Sequence, residues 1–159
     1  LPARFEIVGR RPTVVLDYAH TPDAIARLCA TARRIAGAGR VLLVFGAGGE
    51  VDTDKREPMG EAAARGADVV FLANDNPRRE DPAAIVAALE RGCRRGTAAV
   101  RVIFERADAI RGALEASRED DVVLVAGRGH DRGMTFGSGV VPYSDPEVIA
   151  RLLAGRGPG

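Results

Sequence analysis

Short runs of Val, Ile, Leu and Phe recur along the chain at 13–17 (TVVLD), 40–45 (RVLLVF), 68–72 (DVVFL), 100–104 (VRVIF) and 121–126 (DVVLVA), each bounded by Gly, Pro or polar residues. Their apolar character is nearly continuous rather than alternating, the pattern of strands buried on both faces of a parallel sheet. Between the runs the period changes. Ile25, Leu28, Cys29, Ala32, Ile35 and Ala36 fall at the three-and-four spacing of one helical face, as do Ile85, Leu89 and Cys93, and Ile110, Ala113 and Leu114. Three helix starts pair a capping side chain with proline: Thr21-Pro22, Asp81-Pro82 and Asp145-Pro146. The cap accepts an orphaned amide, and proline gives up no hydrogen bond at the first helical position. Strand and helix in alternation predict an α/β fold, a doubly wound, mostly parallel sheet with helices on both faces. Ligands of such sheets bind beyond the carboxyl ends of the strands.

Composition narrows the picture. At 159 residues, 46% hydrophobic and 28% charged, the chain reads as a single domain, 1–159, with enough apolar material for a core. A formal net charge of +1 gives no broad field for nucleic acid or an anionic membrane, so a charged ligand must be met locally. No apolar run approaches the roughly 20 residues that cross a bilayer, and the first residues have no signal-peptide core, so a cytoplasmic protein is expected. Cys29 and Cys93 fall on apolar helix faces far apart in sequence, as small buried hydrophobes rather than a disulfide or metal site. The chain has no internal repeat, and residues 155–159 read as a frayed tail.

Four loops after the strands carry unusual chemistry. In DYAHTPD, Asp17, Tyr18, His20 and Thr21 stand where a strand gives way to a helix start, with its free amides and positive dipole end. Asp17 suits ribose hydroxyls and His20 a phosphate or a metal-bound oxygen; alternatively Asp17 and Thr21 only shape the turn and His20 is a satisfied loop histidine. VFGAGGEVD, with Gly46, Gly48 and Gly49, invites comparison with the dinucleotide fingerprint G-x-G-x-x-G, but Val51 holds the third glycine's place. The alternatives are a nicotinamide-dependent oxidoreductase, or glycines that permit tight backbone geometry at a sheet edge. In Asp75-Asn76-Pro77-Arg78 a rigid bend carries an amide and a guanidinium that can grip a carboxylate, followed by Arg79, Glu80 and Asp81 as a solvated helix entrance. In Gly127-Arg128-Gly129-His130-Asp131, glycines allow close ligand approach and Asp131 can hold an ammonium group. Together the last two loops suit a small zwitterion.

PARFE, VVLDYAHTPDA, VFGAGGEVDTDKREPMGEAAARGADVV, DNPR, DDVVLVAGRGHD and YSDPEVIARLL, in that order, resemble the Rossmann-like C-terminal domain of the Mur ligases, and within them the MurE branch. These enzymes of peptidoglycan synthesis use ATP to phosphorylate a carboxylate, and an amine attacks the acyl phosphate to give an amide. The resemblance implies a ligase of cell wall biogenesis that adds meso-diaminopimelate to UDP-MurNAc-L-Ala-D-Glu. The family's phosphate loop, magnesium ligands and nucleotide-sugar site lie in N-terminal and central domains. ATP and Mg2+ would therefore be held mainly there, no metal ligand or catalytic group is expected in this chain alone, and the isolated domain should be inactive. Residues 1–12 would form the hinge segment, with Arg4 reaching ATP phosphates, Asp17 the ribose, and Tyr18 and His20 near the nucleotide. Asn76, Arg78, Gly127 and Asp131 would hold the amino acid, and Arg78 favours the second carboxylate of diaminopimelate over lysine. Two positions depart from the family pattern: GGDRD reads GGEVD, placing Val51 where an arginine is expected, and KGHE reads RGHD. Arg128, Arg132 or Lys55 are the candidates to compensate. The rival readings are a MurE-like paralogue joining a different amino acid or acceptor, and a non-catalytic binding module.

Overall fold

The computed structural model describes residues 3–156. Six strands form one sheet: β1 (Glu6–Gly9), β2 (Thr13–Asp17), β3 (Val41–Phe45), β4 (Val69–Leu72), β5 (Ala99–Val102) and β6 (Val122–Ala126). Their order is β1-β2-β6-β3-β4-β5, with β1 antiparallel to β2 and every other pair parallel. The five apolar runs are thus strands, with ends shifted by a residue or two. β1 is additional; its sequence EIVG is short and half-exposed at the sheet edge, so no buried run marks it, and it makes part of segment 1–12 a strand.

Successive strand side chains serve opposite faces. Val15, Leu43, Phe45, Val70, Leu72 and Leu124 pack under α1 (Pro22–Ala36), α2 (Arg56–Gly66) and α3 (Pro82–Cys93), whose Ile25, Met59 and Leu89 complete that core. Leu16, Leu42, Val44, Phe71, Val123 and Val125 pack under α4 (Arg106–Ala116) and α5 (Asp145–Gly155), through Ile110, Leu114, Val148 and Ile149. Cys29 and Cys93 are free and buried, and burial pushes their thiols up to about 12 and about 11. Ile35, assigned to the α1 core stripe from its spacing, is instead 48% exposed at the helix end.

Two of the three expected caps form. Thr21 Oγ1 accepts from Ala24 N (3.2 Å) and Asp81 Oδ1 from Ala83 N (3.0 Å). At the third, Ser144 rather than Asp145 is the cap, its Oγ accepting from Glu147 N (3.3 Å). Asp145 turns inward, where Arg106 Nε and Nη2 donate to its two oxygens at 2.9 and 2.8 Å, and the Tyr143 hydroxyl donates to Oδ1 at 2.6 Å. Both side chains are fully buried, and Arg106 Nη2 also donates to Ala126 O (2.8 Å), tying α4, α5 and β6 together.

α2 lacks a bulky apolar stripe and packs on α3 through glycines. A Cβ at Gly60 would lie 2.1 Å from Leu89 O, and one at Gly92 1.9 Å from Glu57 O, so each helix presses its backbone into the other. A hairpin, β7 (Gly133–Phe136) and β8 (Gly139–Pro142), follows β6; no apolar run announced it. Gly155 closes α5 instead of beginning a tail, and residues 157–159 of that tail, like Leu1 and Pro2 of the hinge segment, lie outside the described residues. Among the described residues no helix is long and apolar enough to cross a membrane.

Candidate functional site

β6 stands between β2 and β3, so the loops leaving these strands part from one another and open a crevice at their carboxyl ends, the switch point of a doubly wound sheet. Two cavities lie there. The larger, about 590 Å³, is lined by Arg4, Asp17, Tyr18, His20 and Thr21 and by Arg27 of α1. The smaller, about 200 Å³, is lined by Asn76, Arg78, Gly127 and Asp131 together with Gly48, Val51, Lys55, Arg56 and Asp75. Tyr18, His20 and Thr21 border both. The two sets of candidate residues thus occupy adjoining chambers divided by one loop.

In the larger chamber, Asp17 has a structural task. Its Oδ2 accepts from Phe5 N (2.7 Å) and Oδ1 from Ala19 N (2.8 Å), while Tyr18 N donates to Ala3 O (2.9 Å). Residues 3–5 are stitched to the loop, and the exposed Arg4 is held at the chamber's rim. His20 Nδ1 lies 2.8 Å from Tyr18 O; a carbonyl only accepts, so Nδ1 carries a hydrogen and Nε2 is left for a ligand. Tyr18 meets His20 edge-on at 5.0 Å.

In the smaller chamber, Asn76 and Arg78 both take the left-handed region, φ 46° and 55°. Asparagine tolerates it; arginine does so only when its surroundings hold it there. The hairpin supplies that hold. Arg78 N donates to Thr135 O (3.0 Å), Gly137 N to Arg78 O (2.6 Å), and Thr135 N to Asn76 Oδ1 (2.9 Å). Loop 46–52 braces the other side: Gly49 N donates to Asn76 O (2.9 Å) and Arg78 Nη1 to Gly49 O (2.8 Å). A Cβ on Gly49 would sit 1.9 Å from Pro77 O. The glycine thus serves close backbone approach between the loops that follow two adjoining strands, β3 and β4, and β3 lies within the sheet rather than at its edge.

Several expectations need correction. Glu80 is not part of a solvated helix entrance: Arg56, 5% exposed, donates to both its oxygens, and Glu50 N donates to Oε1 at 2.9 Å. The bonds from Arg56, and next that from Glu50, pull the Glu80 carboxyl down to about 2. A carboxyl depressed by folding stabilises the fold above its unfolded value and loses that contribution as pH falls. Against Glu80→Gln, the wild type should hold an advantage of about 1–2 kcal/mol at neutral pH that fades from about 4.5 towards about 2, read from urea midpoints across that range. Arg128 is fully buried and Arg132 pairs with Glu147 (2.6 Å) away from the chamber, so neither faces the place of Val51. Lys55 does line the chamber, 3.4 Å from Asp52.

Sequence reasoning missed Asp75 as a chamber residue. It is 8% exposed, Arg128 Nη1 donates to its Oδ1 (3.1 Å), and burial pushes its carboxyl up against the opposing pull of Arg106 and Arg128. No local pattern distinguishes it from a turn aspartate. Cationic groups (Lys55, Arg56, Arg78) and an amide therefore share one small space with three acids (Asp52, Asp75, Asp131), a match for a zwitterion. Among the described residues no group of three or more His, Cys, Asp or Glu is placed to hold a metal ion.

The profile of the family described as "Mur ligase, glutamate ligase domain" matches residues 3–129. The chain belongs to this Mur ligase domain family. Two relatives named UDP-N-acetylmuramoyl-L-alanyl-D-glutamate--2,6-diaminopimelate ligase are similar to it. The one from Caldanaerobacter subterraneus subsp. tengcongensis is 43% identical over 153 residues, covering 95% of this chain and 32% of the relative. The one from Bradyrhizobium diazoefficiens is 45% identical over 155 residues, covering 96% and 31%. A solved structure of an enzyme with that name superposes with TM-score 0.90 at 31% identity, covering all of this chain and 33% of that one. This Mur ligase domain thus spans about a third of the relatives' length. A crystallised domain from Haemophilus ducreyi shares the fold alone (TM-score 0.62, 18% identity), with 96% of this chain matching 98% of that one.

Proposed function

We propose that this Mur ligase domain is the amino-acid-binding part of an ATP-dependent amide ligase that joins meso-diaminopimelate to UDP-MurNAc-L-Ala-D-Glu through an acyl phosphate. The observation that carries the reading is the pair of adjoining chambers. One chamber offers Arg4, Asp17 and His20 Nε2 to a nucleotide; the other offers Asn76 and Arg78 to a carboxylate and Asp75 and Asp131 to an ammonium. The Tyr18-His20-Thr21 loop between them is where an activated acyl group and an incoming amine would meet, in a setting that restricts water. Mg2+ would be held by the other domains of the full-length ligase, which also carry the UDP-sugar. The names of the similar proteins support the same assignment.

The test is ATP-dependent phosphate release by the full-length ligase with UDP-MurNAc-L-Ala-D-Glu, comparing meso-diaminopimelate, L-lysine and a panel of other amino acids. Release with diaminopimelate is expected. Arg78→Ala should lower kcat/KM for diaminopimelate by about tenfold to a hundredfold, as for a lost charged hydrogen bond, and affect lysine much less. An equal effect on both would refute the assignment. A second reading, a different amino acid, rests on Val51, an apolar side chain on the chamber wall; release only with another amino acid would decide for it.

A further inference from the structure

Arg128 is a buried cation that the reaction just described does not use. It leaves β6 in the GRGHD loop, has no exposed surface, and reaches three acceptors: Asp75 Oδ1 (3.1 Å) and Asn76 Oδ1 (3.3 Å) from Nη1, and Gly133 O (2.5 Å) from Nη2. Its guanidinium lies 5.1 Å from the centre of the Tyr143 ring, a cation–π contact. It therefore joins the loops after β4 and β6 to the first residue of the hairpin. We propose that Arg128 is a positioning residue that sets the polarity of the smaller chamber by fixing which end of the Asn76 amide faces the ligand.

Donors and acceptors around the amide decide its orientation. The two groups that meet the inner end of the Asn76 amide are the Arg128 guanidinium and Thr135 N, at 3.3 and 2.9 Å. Both can only donate, so that end must be the oxygen, and its two lone pairs are filled. The NH2 end is then turned to the chamber wall, where Asn76 stands beside Arg78. A flipped amide would set its NH2 against a buried guanidinium and an N–H, and would present an oxygen to the ligand. That oxygen would favour an ammonium where the proposed function requires a carboxylate. With the amide fixed, Asn76 and Arg78 act as a two-donor carboxylate clamp. The chamber thus has one defined orientation for a zwitterion.

The inference rests on the proposed function for its consequence but not for its geometry, and the tests separate the two. Domains of this fold stand alone, as the Haemophilus ducreyi crystal attests, so the Asn76 side-chain NH2 signals can be followed by 15N NMR in the isolated chain without substrate. The wild type should give one ordered pair, and Arg128→Met should shift and broaden it; an unchanged pair overturns the proposal. In the full-length ligase, Arg128→Met should reduce the preference for meso-diaminopimelate over L-lysine by about tenfold or more, mainly through KM for diaminopimelate, with KM for ATP unchanged. Arg128→Lys, which keeps the charge and three donors, should recover part of that preference. If Arg128→Met does not fold, Asn76→Asp decides: its oxygens still accept from Arg128 and Thr135 but nothing donates outward. A folded Asn76→Asp enzyme with undiminished preference for diaminopimelate overturns the proposal. A wild type that uses neither amino acid overturns the proposed function, while the NH2 signals still decide the orientation.

Discussion

Asp145→Ala is expected to destabilise the domain by about 3–5 kcal/mol, the range for leaving one member of a buried ion pair alone. Arg106 would keep Ala126 O as an acceptor but lose both oxygens that neutralise it, in a place with no access to water. It could not escape by giving up its proton, since guanidinium stays charged in proteins. Asp75 would feel the change as well: Asp145 is one of the charges that push its carboxyl up, and Arg106, which pulls it down, would remain. The measurement is a urea midpoint at pH 7 with unchanged m value. Replacing both partners with apolar residues, Arg106→Met with Asp145→Leu, should cost less than Asp145→Ala alone, because no charge is stranded. A single-variant loss under about 1 kcal/mol would show that the charge is relieved in some other way.

Gly92→Val is the second large effect. Even the first atom of a side chain would lie 1.9 Å from Glu57 O, and the obstacle is backbone on the opposing helix rather than a side chain that can swing away. α2 and α3 would have to separate, opening the Met59 and Leu89 contacts of the same core. A loss of about 3 kcal/mol or more is expected, beyond the usual cost of overpacking a core that can relax. Hydrogen exchange should show the loss of protection concentrated in α2 and α3. Protection lost evenly across the chain at a cost below about 1 kcal/mol would contradict the contact.

What could be read from the sequence follows from what each element buries. β3, β4 and β6 are covered on both faces, so their runs are continuous and unmistakable. α1 and α3 announce themselves through Thr21-Pro22 and Asp81-Pro82, signals confined to a few neighbouring residues. α2 packs by the absence of side chains at Gly60, which leaves no apolar stripe to find. β1 and β7 are short and only partly buried, and β8 is exposed, so burial imposes little pattern on them. The chamber residues Asn76, Arg78, Gly127 and Asp131 lay in loops conspicuous for their composition, and topology alone brings those loops together. The pairings that hold the loops were not legible. Arg56 with Glu80, Arg106 with Asp145 and Arg128 with Asp75 join residues far apart in the chain, and a charge in sequence does not say whether it will face water or a partner.

The place of β6 governs how the sheet can assemble. Val122 pairs with Thr13 on one side and with Val41 on the other, so the last strand of the main sheet to be synthesised is inserted at its middle. Until it arrives, β1-β2 and β3-β4-β5 are separate ribbons with inner edges unpaired. Closing them requires long loops to be fixed before any contact rewards the loss of freedom, a cost that slows this step of folding. A chain interrupted before residue 122 would have two open edges in place of a crevice, and open edges invite pairing with other chains.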